Sequence, residues 1–136
     1  MIRVLIADDH QLVRKGLVTL LSKVEGIQVV GEASNGLRAV EMAASLLPDV
    51  VLLDMAMPGL NGLRAVELIR AKAPNTQIVV LSMYSDETLV RDALGKGARG
   101  YVLKHSSHTD LVHAIRAVSE GKTFLSREIS PPPSQE

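Results

Sequence analysis

Short apolar runs alternate along this chain with longer stretches whose apolar residues recur at helical spacing. The runs within "RVLIA" (3–7), "VVLLD" (50–54) and "QIVVLS" (77–82) show no polar alternation. They therefore predict strands covered on both faces. "IQVVGEA" (27–33) is more polar and predicts a strand nearer an edge, and "GYVLK" (100–104) completes a set of five. Between them, Leu12, Leu17, Leu20, Leu21 and Val24 lie along one helical face that Gly26 ends. A second helix is expected over 37–46, closed by Pro48, and a third over 63–72, ending before Pro74. A turn with Pro58, Gly59 and Gly62 precedes the third. A fourth helix spans 86–95, and Ser107 with Asp110 forms a capping box that opens a fifth, running to about 120. Five strands alternating with five helices predict an α/β fold: a doubly wound parallel sheet, helices on both faces, right-handed crossovers. The closing "SREISPPPSQE" is polar and Pro-rich, as in a linker or frayed end.

Two sequence patterns suggest other architectures and fail on context. "NGLRAVE" occurs at 35–41 and again at 61–67, but there is no third copy, and stacked-repeat folds need about three. Each copy opens a helix after a strand. "GKGARG" (95–100) matches G-x-G-x-x-G, yet it closes a helix and precedes a strand, the reverse of a dinucleotide site. Gly95 or Gly97 more simply supplies a left-handed helix cap. Neither Gly95-Lys96 nor Gly121-Lys122 has the upstream glycine of a Walker loop.

Composition narrows the chemistry. A chain of 136 residues fits one domain with a well-buried core. Its 15 basic and 15 acidic residues cancel, so no nucleic-acid-binding surface is advertised. The absence of cysteine excludes disulfides, thiolate metal sites and a Cys nucleophile. Tyr84, Tyr101 and Phe124 are the only aromatics, leaving few platforms for stacking bases. "MIRVLIADDH" is unlike a signal peptide, and no apolar run approaches a membrane span. A soluble, cytoplasmic protein is expected.

The candidate site is marked by the polar residues at the C-terminal ends of the strands. Asp8 and Asp9 come directly after the first strand, and the third ends in Asp54, the fourth in Ser82 and the fifth in Lys104. In an open parallel sheet these ends share one rim, the rim where ligands bind. Each residue alone passes as a turn or cap residue, but the set is harder to dismiss. Two carboxylates about 4 Å apart repel by about 4 kcal/mol at an effective dielectric near 20. A divalent cation relieves that, and a hard all-oxygen site suits Mg²⁺. Lys104 and Ser82 could hold phosphoryl oxygens. One carboxylate is then left as nucleophile, and Asp54, on a strand central in chain order, is the best candidate.

"IADDH", "LLDMAMPGLNG", "VLSMYS" and "GYVLK", in this order and spacing, resemble a response-regulator receiver domain of two-component signalling over residues 2 to about 122. The resemblance implies a CheY-like (flavodoxin-like) sheet of order 2-1-3-4-5, an aspartyl phosphate and Mg²⁺. Carried over by motif, it implies Asp54 as phosphoacceptor and Asp9 as direct metal ligand, with Asp8 acting through water. It likewise implies the Ala56 backbone carbonyl as a ligand, Lys104 as the phosphate-binding lysine, and Ser82 and Tyr101 as the switch pair. Modification of Asp54 is expected to draw Ser82 inward, with Tyr101 following into the space behind it. Met83 follows the switch hydroxyl where a small residue is usual, and could narrow access to the phosphoryl group. His105 stands where many receivers have proline. "LSMYSD" and "GKTFLSREIS" are similar to the LuxR/NarL-type subclass of transcriptional regulators, whose receivers precede a helix-turn-helix domain. Expected organisation is therefore a receiver at 1–122 and a linker at 123–136 leading to a DNA-binding domain absent from these residues. Expected partners are a sensor histidine kinase, a second copy on phosphorylation, and DNA only through that further domain; no membrane is expected. An Asp-nucleophile phosphohydrolase would carry a second acid two residues after the nucleophile, where Ala56 stands. A receiver-like domain that is never phosphorylated would lack an acid or the lysine. His10, His105 and His108 lack the i, i+4 spacing of a helical zinc pair and read as surface or supporting residues.

Overall fold

The computed structural model describes residues 1–57, 59–106, 108–126 and 129. Expectations placed on Pro58 (a turn), Ser107 (a helix cap) and the Pro-rich tail from 130 fall outside them. The strands are β1 (Ile2–Ala7), β2 (Ile27–Ala33), β3 (Val50–Asp54), β4 (Gln77–Ser82), β5 (Gly100–Leu103) and a short β6 (Phe124–Leu125). They form one sheet in the order β2-β1-β3-β4-β5-β6, with every neighbouring pair parallel. The helices are α1 (Gln11–Ser22), α2 (Gly36–Leu46), α3 (Gly62–Lys72), α4 (Glu87–Lys96) and α5 (His108–Ser119). This is the α/β architecture and strand order expected, extended at one edge.

Side chains of each strand alternate between two cores, so an unbroken apolar run is what each strand needs. Leu5, Ala7, Val51, Leu53, Val80 and Tyr101 pack with Val40, Ala43, Val66, Ile69 and Val90 of α2, α3 and α4. Val4, Ile6, Leu52, Val79 and Val102 pack on the opposite face with Leu21 of α1 and Leu111, Ile115 and Val118 of α5. Both copies of the repeated heptapeptide do the same local job. Asn35 Oδ1 accepts the Arg38 N–H at 2.8 Å, and Asn61 Oδ1 accepts the Leu63 N–H at 2.8 Å. Gly97 ends α4 at φ 122°, a conformation that favours glycine, and this accounts for the glycine-rich "GKGARG".

The sixth strand is the departure from the expected five. Gly121, at φ 85°, turns the chain back after α5. The Phe124 N–H then donates to Arg99 O at 2.9 Å, and the Ser126 N–H to Tyr101 O at 3.0 Å. Two residues are too few to display any hydrophobic period. Strand order reverses between β1 and β3, and the C-terminal ends of these two neighbours frame the crevice in which an α/β sheet binds ligands.

Candidate functional site

Asp54 is the last residue of β3 and only 1 % exposed. Its Oδ1 accepts the Ala56 N–H at 3.0 Å, and its Oδ2 accepts from Lys104 Nζ at 2.9 Å. Lys104 follows β5 directly, and its own N–H is tied to Ser82 O of β4 at 2.8 Å. The Lys104–His105 peptide is trans. Asp8, just after β1, is fully buried. Its Oδ1 accepts the His10 N–H at 2.8 Å, while Oδ2 has no hydrogen-bond partner and lies 3.8 Å from Lys104 Nζ. One Asp9 oxygen is likewise buried without a hydrogen bond. Strand ends far apart in sequence thus deliver three carboxylates and one ammonium to one place.

Electrostatics follow from this packing. Burial pushes the Asp8 carboxyl above its ordinary value. The His10 N–H opposes the rise, Asp54 adds to it, and Lys104 and the His10 ring oppose it. Ligand atoms of Asp8, Asp9, His10 and Asp54 lie within 4.8 Å of one another. Buried carboxylate oxygens without donors are the groups a hard cation would satisfy, so the donor set fits Mg²⁺. His10 supports the acids from outside: its side chain is 63 % exposed, with Nδ1 3.3 Å from Asp9 Oδ1 and 3.5 Å from Asp8 Oδ1.

The structure places Ser82 and Tyr101 in a different relation from the acids. Ser82 Oγ accepts the Tyr84 N–H at 3.0 Å, and the Tyr101 hydroxyl donates to Tyr84 O at 2.8 Å. Both side chains therefore meet at Tyr84, one on its N–H and the other on its carbonyl. The Tyr101 ring is fully buried. Burial raises its hydroxyl pKa, opposed by Ser82 and reinforced by the Asp86 carboxylate. Met83, 61 % exposed, shares with Ala56, Ser82 and Tyr84 the lining of a cavity of about 250 Å³.

Two supporting groups stand apart from the polar residues at the strand ends. Arg14 Nη1 donates to Asp8 O at 2.7 Å while its Nε binds Glu32 Oε1 at 3.0 Å, clamping the loop that carries the acids. Burial of Glu32 works against ionisation, but hydrogen bonds from Arg14 and Lys15 outweigh it and hold the carboxyl below its ordinary value. The other is Ser126, buried beside β5. Helical spacing does not single out Arg14 beside Gln11 and Lys15 at the start of α1, and no local pattern marks Ser126. Among the described residues, no helix is long and apolar enough to cross a membrane.

Comparison with known proteins points to one family. The response regulator receiver domain family matches residues 4–116. The nitrate/nitrite response regulator protein NarL of Escherichia coli is 43 % identical over 128 residues, covering 94 % of this chain and 59 % of that protein. The crystal structure of a LuxR-family two-component response regulator from Aurantimonas superposes with a TM-score of 0.90 at 32 % identity, over 95 % of this chain and 92 % of that one. The response regulator RcsB in its complex with DNA superposes with a TM-score of 0.85 at 31 % identity, over 93 % of this chain and 64 % of that one. The chain spans about three fifths of the length of the curated relatives it matches.

Proposed function

The chain belongs to the response regulator receiver domain family, whose members are signalling phosphoacceptors rather than catalytic enzymes, and on that premise we propose that Asp54 takes a phosphoryl group from a sensor histidine kinase. One observation carries this. Asp54 is held by a half-buried lysine, while Asp8 and Asp9 beside it keep buried oxygens without hydrogen-bond partners. A carboxylate oxygen of Asp54 attacks the phosphorus of a phosphohistidine. The P–O bond forms as the P–N bond breaks, and the imidazole leaves with the electron pair. Lys104 transfers its grip from Asp54 Oδ2 to a phosphoryl oxygen, and the Ala56 N–H keeps Asp54 Oδ1 in place. Asp9, Asp54, the Ala56 carbonyl and, through water, Asp8 would hold Mg²⁺. When bound, the ion neutralises charge on the phosphoryl oxygens.

The added charge, close to −2, is then read at Ser82. Its hydroxyl leaves the Tyr84 N–H and donates to the phosphoryl group. That frees Tyr84, which also accepts from Tyr101, and reshapes the surface of α4, β5 and α5. We assign residues 1–126, β6 included, to the receiver and the residues after them to a linker toward a DNA-binding domain, by likeness to relatives that the chain only partly spans. A cytoplasmic transcriptional regulator that pairs with a second copy when phosphorylated fits this scheme. The test is incubation with acetyl phosphate and Mg²⁺, followed by intact mass and peptide mapping. Wild type should gain one acid-labile phosphoryl group on Asp54, and Asp54→Asn none. Lys104→Ala should be labelled more slowly and without the conformational response. Labelling of Asp54→Asn to the wild-type extent would refute the assignment.

A further inference from the structure

We propose that Ser126, which follows β6, is a positioning residue for Lys104, so that residues 124–126 are part of the phosphoryl-transfer apparatus. This rests on the role given to Lys104 above. The parallel ladder between β5 and β6 pairs Gly100 with Phe124 and Tyr101 with Leu125, and the Ser126 N–H continues it onto Tyr101 O at 3.0 Å. The next rung would be the Leu103 N–H onto Ser126 O. That carbonyl instead accepts the Ile129 N–H at 2.9 Å, and Ile129 is buried in the core with Tyr101. The Ser126 side chain completes the rung. Its Oγ, in a residue only 1 % exposed, accepts the Leu103 N–H at 3.0 Å and lies 3.1 Å from Ser106 Oγ.

Lys104 sits between these two anchors. Its own N–H binds Ser82 O on the other side, so the peptide carrying the ammonium is fastened to β4 through one amide and to Ser126 through the one before it. Without the hydroxyl, the buried Leu103 N–H loses its partner, and the turn through Ser106 loses its tie to the sheet edge. The Lys104 backbone can then shift relative to Asp54. The carboxylates directly follow β1 or end β3, strands that do not pair with β5 or β6, so their cluster is left intact.

The experiment compares wild type, Ser126→Ala, Ser126→Thr and Ser106→Ala in the full chain. The first readout is the rate of Asp54 labelling by acetyl phosphate at saturating Mg²⁺. The second is Mg²⁺ affinity from thermal stabilisation. The third is the hydrogen-exchange rate of the Lys104 ammonium by NMR. In Ser126→Ala, labelling slows by about five- to tenfold, the size expected for one lost buried hydrogen bond. Ammonium exchange accelerates, while Mg²⁺ affinity stays within about twofold of wild type, because the carboxylate cluster is left intact. Ser126→Thr, which keeps the hydroxyl, restores both, and Ser106→Ala gives a smaller change of the same sign. Wild-type ammonium exchange in Ser126→Ala overturns the proposal. So does a loss of Mg²⁺ affinity as large as the loss of rate, which would mark general loosening. If wild type itself takes no label, the phosphoacceptor assignment falls, and ammonium exchange alone still decides whether Ser126 positions Lys104.

Discussion

Asp8 carries the clearest energetic consequence of the site. It is fully buried, one oxygen lacks a hydrogen bond, and its pKa in the folded protein lies above the ordinary 3.8. The folded state therefore holds the proton more tightly than the unfolded chain does. The cost of ionising Asp8 is absent below pH 3.8 and complete once the pH has risen past the folded value. Without metal, Asp8→Asn should accordingly stabilise the protein at neutral pH by about 1 kcal/mol, on the scale of one uncompensated buried polar atom. The gain should vanish in acid. Thermal melts in chelator from acid to neutral pH measure it, and a gain independent of pH would refute the burial account. Asp9→Asn makes the complementary case. It should raise metal-free stability while abolishing the stabilisation by Mg²⁺, which is about 2.7 kcal/mol at a hundred times Kd for a bound ligand. Retention of wild-type Mg²⁺ stabilisation in Asp9→Asn would exclude it as a ligand.

At the scale of elements, the start of α3 is pressed against the loop that follows Asp54. A Cβ added at Gly62 would lie 2.8 Å from Met55 Sδ, 3.0 Å from Met55 O and 3.1 Å from Met55 Cα. The sulfur can move, but the backbone next to Asp54 cannot do so without displacing it. Gly62→Ala should thus cost about 1–3 kcal/mol as an overpacked contact, and should also slow Asp54 labelling. Gly95 in α4 is the control, since nothing lies within 4 Å of a Cβ there. Gly95→Ala should stabilise by up to about 1 kcal/mol through helix propensity and leave labelling unchanged. Equal labelling rates in the two variants would show that the α3 contact does not reach the site. Gly62 was legible in the sequence only as a turn glycine. Its contact with Met55 depends on how closely α3 returns to β3.

For the molecule as a whole, every helix already turns buried residues toward the sheet, and the formal charge is +0. A recognition helix must project into a groove with basic flanks. These 136 residues alone should therefore bind duplex DNA no better than a neutral protein of the same size. Fluorescence anisotropy with a labelled duplex at low salt checks this. Near-micromolar binding that weakens steeply with added salt would reveal a basic surface that net charge conceals. A longer chain carrying a helix-turn-helix domain should bind.

The sequence by itself determined the parts of this protein that depend on neighbouring residues. Unbroken apolar runs marked strands covered on both sides, the two "NGLRAVE" copies marked helix starts, and the glycines at 95 and 97 marked a helix end by backbone freedom. Polar residues standing at the ends of those runs, Asp8, Asp54, Ser82 and Lys104, declared one rim, because parallel strands must all finish on the same side. Only the tertiary structure decided which of these groups satisfy one another. Lys104 pairs with Asp54 at 2.9 Å and stands 3.8 Å from Asp8, and that choice is made between chain segments 50 residues apart in the first case. The buried Tyr101 ring and the Ser126 rung likewise join distant segments. β6 is two residues long and displays no period at all. Periodicity reports what a segment does with its own face, whereas hydrogen bonds across a sheet edge or a rim exist only once the segments have been brought together.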